Sequence, residues 1–283
     1  MSFVLGVIGG SGIYEIPGLT DVKEQVFETP FGAPSDAIIS GQLGDTRLLF
    51  LPRHGRGHRV APHEINYRAN ICALKQLGAT HLVSLSTVGS MKEEIAPGHV
   101  VIVDQFIDLT KRRVSTFFEG GVVAHVGFAD PVCPLLAKTL ASAAEAAGAK
   151  VHFGGTYVCM EGPQFSTRAE SRLYRSWGVS VIGMTAMPEA KLAREAELPY
   201  ATMALATDYD CWHDTEEDVT VEAILAVLKA NADLAKRTVV ELAGNLPDTS
   251  KSPATGALRY AVISDPKSQT AEATKRLSWL IRR

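Results

Sequence analysis

Short runs of β-branched and aliphatic residues alternate along the chain with longer stretches of helical pattern. The short runs cover Phe3 to Ile8, Ala37 to Gln42, Arg47 to Leu51, His81 to Leu85, His99 to Val103, Val151 to Cys159, Val179 to Ile182 and Tyr200 to Ala206, and they predict strands. Helices are predicted over Glu64 to Leu77, Pro134 to Ala147, Arg168 to Trp177, Pro188 to Glu197 and Val221 to Ala243. Two of them carry clear punctuation: the first runs into Gly78, and the second opens on Pro134 and closes on Gly148, as proline at a helix start and glycine past its end require. Strand and helix in alternation predict an α/β fold, a central mixed or largely parallel sheet wrapped by helices, in one domain without internal repeats. After Gly244 the chain turns polar, from Pro247 to Pro253. Residues 1–245 are therefore expected to form the main domain. Residues 246–283 are expected to be a C-terminal extension packing on it, with a strand over Arg259 to Ser264 and a helix over Gln269 to Ile281.

A hydrophobic share of 46% in 283 residues is enough for a large buried core. The formal net charge of -3 gives no electrostatic footprint for DNA or RNA, which bind through clustered Lys and Arg. Lys111-Arg112-Arg113 is too short a run to change this and reads as a solvated loop. The N-terminal residues lack the pattern of a secretory signal, and no apolar run reaches the ~18 residues of a membrane span. A cytoplasmic protein with neither membrane nor nucleic acid as a partner is expected. Cys72, Cys133, Cys159 and Cys211 show no C-x-x-C spacing, so the cysteines read as reduced, mostly buried thiols, and no metal site is predicted.

Gly9-Gly10-Ser11-Gly12 follows the first predicted strand directly, yet it fails as a dinucleotide fingerprint because Glu15 stands where the third glycine belongs. It also fails as a nucleophile elbow, since Ile13 occupies the closing glycine position. His63-Glu64 has Tyr67 where a zinc-protease helix needs its second histidine. What survives is a strand leading into glycines that bring backbone N–H groups and the Ser11 hydroxyl towards an anion. Arg53-His54-Gly55-Arg56-Gly57-His58 and Ser86-Thr87-Val88-Gly89-Ser90 also follow predicted strands and add guanidinium, imidazole and hydroxyl donors. Ligands of α/β sheets sit beyond the carboxyl ends of strands, so the three segments point to one phosphate. Each segment alone also reads as an ordinary turn or surface feature.

A second constellation, Asp208-Tyr209-Asp210, ends the Tyr200 to Ala206 strand. Extended geometry would turn both carboxylates to one side. Two carboxylates held together repel, which favours a proton on one of them and makes the pair a donor and an acceptor at once. Such a pair suits adenine, giving hydrogen to N7 and accepting from the 6-amino group. Taken by itself, D-x-D also reads as an Asx turn or a helix cap.

Jointly and in order, these motifs resemble the methylthioadenosine phosphorylases of the purine-nucleoside phosphorylase superfamily, over about residues 3 to 245. The resemblance is carried by Ile8–Ile13, Thr29–Asp36, Arg53-His54-Gly55, Asn66–Asn70, Asp104–Asp108, Glu161–Glu170, Gly183–Glu189 and Ala206–Trp212. It implies the single-domain nucleoside phosphorylase/hydrolase fold and phosphorolysis of S-methyl-5′-thioadenosine to adenine and 5-methylthioribose 1-phosphate, in purine and methionine salvage. It implies phosphate at Ser11, Arg53, His54, Ser86, Thr87 and Thr185, ribose near Met184, and the purine stacked near Phe165 with Asp208 facing N7 and Asp210 the 6-amino group. Val221 and Ile224 would line the methylthio pocket, to which a neighbouring subunit of a homotrimer, or of a dimer of trimers, would bring His125. Inorganic phosphate is then a co-substrate, and no cofactor is needed. Competing readings are a methylthioinosine or broader purine-nucleoside phosphorylase, a hydrolytic nucleosidase, and a non-catalytic adenosine sensor.

Overall fold

This computed structural model describes residues 3–10, 13, 15–213 and 221–281, limited to the backbone for 221–226. The first half of the chain forms β1 (Val4–Gly9), β2 (Thr20–Gln25), β3 (Ile38–Leu43), β4 (Thr46–Pro52), α1 (Tyr67–Gln76), β5 (His81–Ser90), β6 (Val100–Val103) and β7 (Gln105–Asp108). Then come α2 (Pro134–Ala146), β8 (Val151–Phe153), β9 (Thr156–Cys159), α3 (Arg168–Ser176), β10 (Val181–Gly183), α4 (Ala186–Glu195), β11 (Tyr200–Asp208), α5 (Val221–Ala243) and α6 (Ala271–Arg276).

The strands form one mixed sheet in the order β2-β3-β4-β1-β5-β10-β9-β7, with β11 on the other side of β5, then β6 and β8. β1 runs parallel to both β4 and β5 and is buried along its whole length. A strand covered on both faces reads as an unbroken apolar run, which explains why its sequence is VLGVIG. β5 is the hub, pairing in parallel with β1 and β11 and antiparallel with β10.

Several boundaries depart from the sequence pattern for local reasons. The expected strand Val151 to Cys159 is two strands, because Gly154 and Gly155, both at positive φ, break it. β8 joins β6, whereas β9 lies between β10 and β7. β2 and β7 lack a hydrophobic signature: β2 is TDVKEQ, exposed over five of its six residues, and backbone pairing alone places it on β3. α1 starts at Tyr67, where the Asn66 side chain accepts from Ala69 N–H, rather than at Glu64. α2 opens on Pro134 as its sequence predicts, and the regular part of α4 resumes after the non-helical Met187 and Pro188.

Beyond α5 the chain returns to the main body. Leu258, Ala261, Ala273 and Leu277 join the principal core, and the Trp279 ring meets Phe117 edge-on. The strand expected over Arg259 to Ser264 is a single bridge between Ala124 and Val262. The helix expected over Gln269 to Ile281 is only α6, capped by the Thr270 hydroxyl. Packing of scattered apolar side chains, more than regular structure, holds this region in place.

Candidate active site

β1 pairs with β5 only as far as Ile8 opposite Ser84, and β10 takes over the same edge at Gly89. Between them, from Leu85 to Val88, that edge of β5 has no strand neighbour among the described residues. This notch is a switch point in strand order, the kind of crevice where α/β sheets hold ligands. The ends of β1 and β4 border it, joined by a bond from Arg53 N–H to Gly9 O of 2.9 Å. Ser86-Thr87 and Gly89 lie within β5, not beyond its end as the sequence pattern suggests.

One end of the notch is built from hydroxyls. Ser86 Oγ lies 3.1 Å from Thr185 Oγ1 and 3.2 Å from the Tyr157 hydroxyl, and all three residues are buried. Burial pushes the Tyr157 phenol up to about 12, so it stays a donor at neutral pH. Tyr157 has no motif to mark it in the sequence. Its ring needs Gly183 opposite, because a Cβ there would sit 2.0 Å from its hydroxyl oxygen. Thr87 is exposed at the same place, and Ser11 lies outside the described residues.

Arg53 and His54 follow the end of β4, and Arg53 reaches the notch at Leu85 O. The Arg53 guanidinium is buried and committed to the protein. Nε and Nη2 meet the two Glu189 carboxylate oxygens at 2.9 and 3.2 Å, Nη1 donates to Leu85 O in the notch, and Nη2 also reaches Ser84 Oγ and Ile8 O. Burial works against its charge, and Glu189 outweighs burial and raises its pKa. Arg53 is thus an internally paired cation anchored to the notch at Leu85 O, in place of the open fork its sequence position suggests. His54 Nδ1 donates to Val60 O at 2.9 Å, and its ring stacks on His58. Burial pushes the imidazole down to about 4, so the ring is neutral at pH 7, with Nε2 carrying a lone pair.

That depression has a consequence for stability. The unfolded imidazole titrates near its ordinary 6.5, whereas the folded one refuses a proton until about pH 4. His81 and His152 are lowered by burial in the same direction, and Glu195, raised by burial, works against them. Stability is therefore full above about pH 6.5 and is lost as pH falls towards 4. Thermal denaturation should show Tm falling from pH 7 to pH 5, with a shallower fall in His54→Asn. A Tm that holds or rises over that range contradicts this account.

The other end of the notch is acidic. β11 carries a register shift between Ala206 and Asp208, and Asp208 lies opposite Gly89. A Cβ on Gly89 would stand 3.0 Å from Asp208 Oδ1 and 3.3 Å from Asp210 Cβ, so a larger residue there would crowd the pair. The expected extended D-x-D does not form. Asp210 begins a 3₁₀ turn, Asp210–Trp212, at a φ of 54°, and its N–H donates to Asp208 Oδ1 at 2.8 Å in an Asx turn. The carboxylates come together through this turn and not through strand alternation. Asp208 also accepts from Thr207 Oγ1 at 2.7 Å and is exposed. Half-buried Asp210 accepts from Ser166 and Ser171. From Ser86 to Gly89 is three residues along one strand, about 10 Å, so one rigid element carries both ends.

Phe165, 84% exposed, stands beside Ser166 at the acidic end. Met184 follows β10, its Sδ packed where a Gly162 Cβ would be, and its carbonyl accepts from Arg113 Nη1 at 2.6 Å. Arg113 corrects the reading of 111–113 as a solvated loop: its side chain is 1% exposed and bonds Glu161, Tyr67 and the Met187 carbonyl as well. Buried carbonyls left by the kink in α4 need such a donor. His125 is exposed, and its N–H donates to Ala261 O, while the side chains of Val221 and Ile224 lie outside those described. Cys72, Cys133 and Cys159 are buried free thiols, and Cys211 is half-buried. Among the described residues no group of three or more His, Cys, Asp or Glu is placed to hold a metal ion, and no helix is long and apolar enough to cross a membrane.

The profile of the phosphorylase superfamily matches residues 4–243, from the start of β1 to the end of α5. The chain belongs to the phosphorylase superfamily. Within the superfamily it is 59% identical, over 99% of both chains, to the S-methyl-5′-thioadenosine phosphorylase of Geobacter sulfurreducens. It is 55% identical to that of Chloroflexus aurantiacus, over 98% of this chain and 96% of the relative. A methylthioadenosine phosphorylase sourced from an antarctic soil metagenomic library has the same fold, with a TM-score of 0.93 at 47% identity, covering 99% of this chain and 100% of that one. A variant of the Schistosoma mansoni adenosine/methylthioadenosine phosphorylase, solved in complex with methylthioadenosine, gives 0.85 at 33% identity, over 92% and 99%. The superfamily match stops at α5, but the matches to the Geobacter sulfurreducens and metagenomic phosphorylases cover 99% of this chain and so include most of the C-terminal region.

Proposed function

We propose that this chain is a pentosyltransferase that splits S-methyl-5′-thioadenosine with inorganic phosphate, giving adenine and 5-methylthioribose 1-phosphate. The observation that carries the reading is the notch in β5, with a cluster of buried hydroxyls at one end and an acidic pair at the other. The superfamily likeness to methylthioadenosine phosphorylases supports it.

In this reading phosphate lies against Ser86, Thr87 and Thr185, with Ser11 and Arg53 beside it. His54 accepts from a protonated phosphate oxygen or a sugar hydroxyl through Nε2. Phosphate is already charged, so the site activates no protein nucleophile; it aligns one phosphate oxygen beneath C1′. The C1′–N9 bond breaks with its electron pair passing to the purine, positive charge develops on the sugar, and the phosphate oxygen bonds to C1′. A proton from Asp208 to N7 neutralises the leaving base, and solvent restores that proton, since Asp208 is exposed. Asp210 accepts from the 6-amino group, Phe165 stacks on the base, and Met184 lies along the ribose. Phosphate is the co-substrate, and no step calls for a cofactor. The active assembly is a homotrimer in which His125 of one subunit completes the apolar 5′ pocket lined by Val221 and Ile224 of the next.

The direct test is release of adenine from methylthioadenosine with and without phosphate. Strict dependence on phosphate is expected, and equal release without it points to hydrolysis and overturns the reading. Replacing Asp208 and Asp210 together by asparagine should move preference from 6-amino towards 6-oxo nucleosides, measured as kcat/KM for methylthioadenosine against methylthioinosine. An unchanged preference contradicts the roles of the two aspartates.

A further inference from the structure

Ser171, on the first turns of α3, is wholly buried, and its hydroxyl donates to Asp210 Oδ2 at 2.5 Å. Ser166, just before that helix, donates to Oδ1 and Oδ2 at 3.0 and 3.1 Å. A capping box between Thr167 and Glu170 fixes where α3 begins, and so fixes both serines. The same helix holds the rest of the turn: Arg168 Nη1 donates to Cys211 O at 3.0 Å, and the Arg175 guanidinium lies 3.5 Å over the Trp212 ring. Asp210, in the left-handed region that costs a non-glycine residue energy, is thus held by α3 together with the serine just before it.

We propose that Ser171 is the positioning residue that aims the Asp210 carboxylate, and that preference for 6-amino over 6-oxo purines depends on its hydroxyl. This rests on reading Asp210 as the partner of the 6-amino group. A carboxylate offers about four lone-pair directions over its two oxygens. Ser166 spans both oxygens and Ser171 takes a second direction on Oδ2, with the Cys211 thiol at 3.8 Å on the same atom. Oδ1 is left as the oxygen with an open lone pair, in an orientation set by a charge-assisted bond. A 6-amino group donates into that lone pair, whereas a 6-oxo group sets acceptor against acceptor. Without the Ser171 hydroxyl the carboxylate loses the bond that fixes its rotation, and the contrast between the two substrates weakens.

The experiment compares wild type, Ser171→Ala, Ser171→Cys and Asp210→Asn by kcat/KM for methylthioadenosine and methylthioinosine, by KM for phosphate, and by Tm. In Ser171→Ala the 6-amino to 6-oxo ratio should fall about tenfold, mainly through a higher KM for methylthioadenosine, with KM for phosphate unchanged. Ser171→Cys, of similar shape but a weak donor, should fall in the same direction. If Asp210→Asn collapses the ratio while both Ser171 variants keep it, the positioning role is overturned and the role of Asp210 stands. If Asp210→Asn itself leaves the ratio intact, the reading of Asp210 fails and takes this proposal with it. A lowered ratio accompanied by a changed phosphate KM or a large drop in Tm marks general distortion of the site and also overturns the proposal.

Discussion

Replacing Asp208 by asparagine should lower kcat for methylthioadenosine by about 100-fold or more, the usual contribution of a positioned proton donor, while KM changes only a few-fold. The purine leaves as a poor anion unless N7 is protonated as the glycosidic bond stretches. An interaction that matters mainly at that stage appears in kcat and not in substrate binding. The asparagine keeps the shape of the turn, since its carbonyl can still accept the Asp210 N–H that now meets Asp208 Oδ1. It retains a hydrogen bond donor for N7 but has no acidic proton to transfer. Steady-state kinetics at saturating phosphate check this, and a kcat within about threefold of wild type rejects Asp208 as the acid.

Glu189→Ala should cost about 3–5 kcal/mol of stability, the scale for stranding one partner of a buried ion pair. Both side chains are almost fully buried, at 3% and 1% exposure, so the Arg53 charge would be left with neither water nor a counterion. Tyr200 would lose its acceptor too, since its hydroxyl donates to Glu189 Oε1 at 3.0 Å and accepts from Thr202. In a chain of this size the loss corresponds to a Tm lower by roughly 10 °C. Replacing both partners with methionine should restore part of the stability, because no charge is then buried unpaired. Activity should stay low in that double variant, since the Arg53 bond to Leu85 O in the notch is gone. A Tm within about 2 °C of wild type for Glu189→Ala contradicts this picture of Arg53 as a paired, internal charge.

The sheet was legible where burial leaves a pattern. β1 reads as a strand because both its faces are covered, and α2 because proline and glycine mark its ends. β2 was not legible, since an exposed edge strand is held by backbone bonds that impose no hydrophobic alternation. At the site, the residue types at the strand ends were readable and their partners were not. Asp208 and Asp210 stood out as a pair, yet a register shift against β5 and a 3₁₀ turn bring them together, and neither follows from D-x-D spacing. Arg53 stood out as a cation, but Glu189 lies 136 residues away in the chain, so its commitment to an internal pair left no local signal. Arg113 was misread for the same reason: the acceptors that bury it lie 46 to 74 residues distant. Ser171 sits in an ordinary helical stretch, and only its contact with Asp210 distinguishes it.

A crystal structure of the protein with methylthioadenosine and sulfate, an unreactive stand-in for phosphate, tests the whole arrangement at once. The sulfate should lie at the Ser86–Thr185 end of the notch, beneath C1′, with N7 and the 6-amino group of the same nucleoside at Asp208 and Asp210. A purine bound away from the two aspartates, or an anion bound outside reach of that nucleoside's C1′, would contradict it.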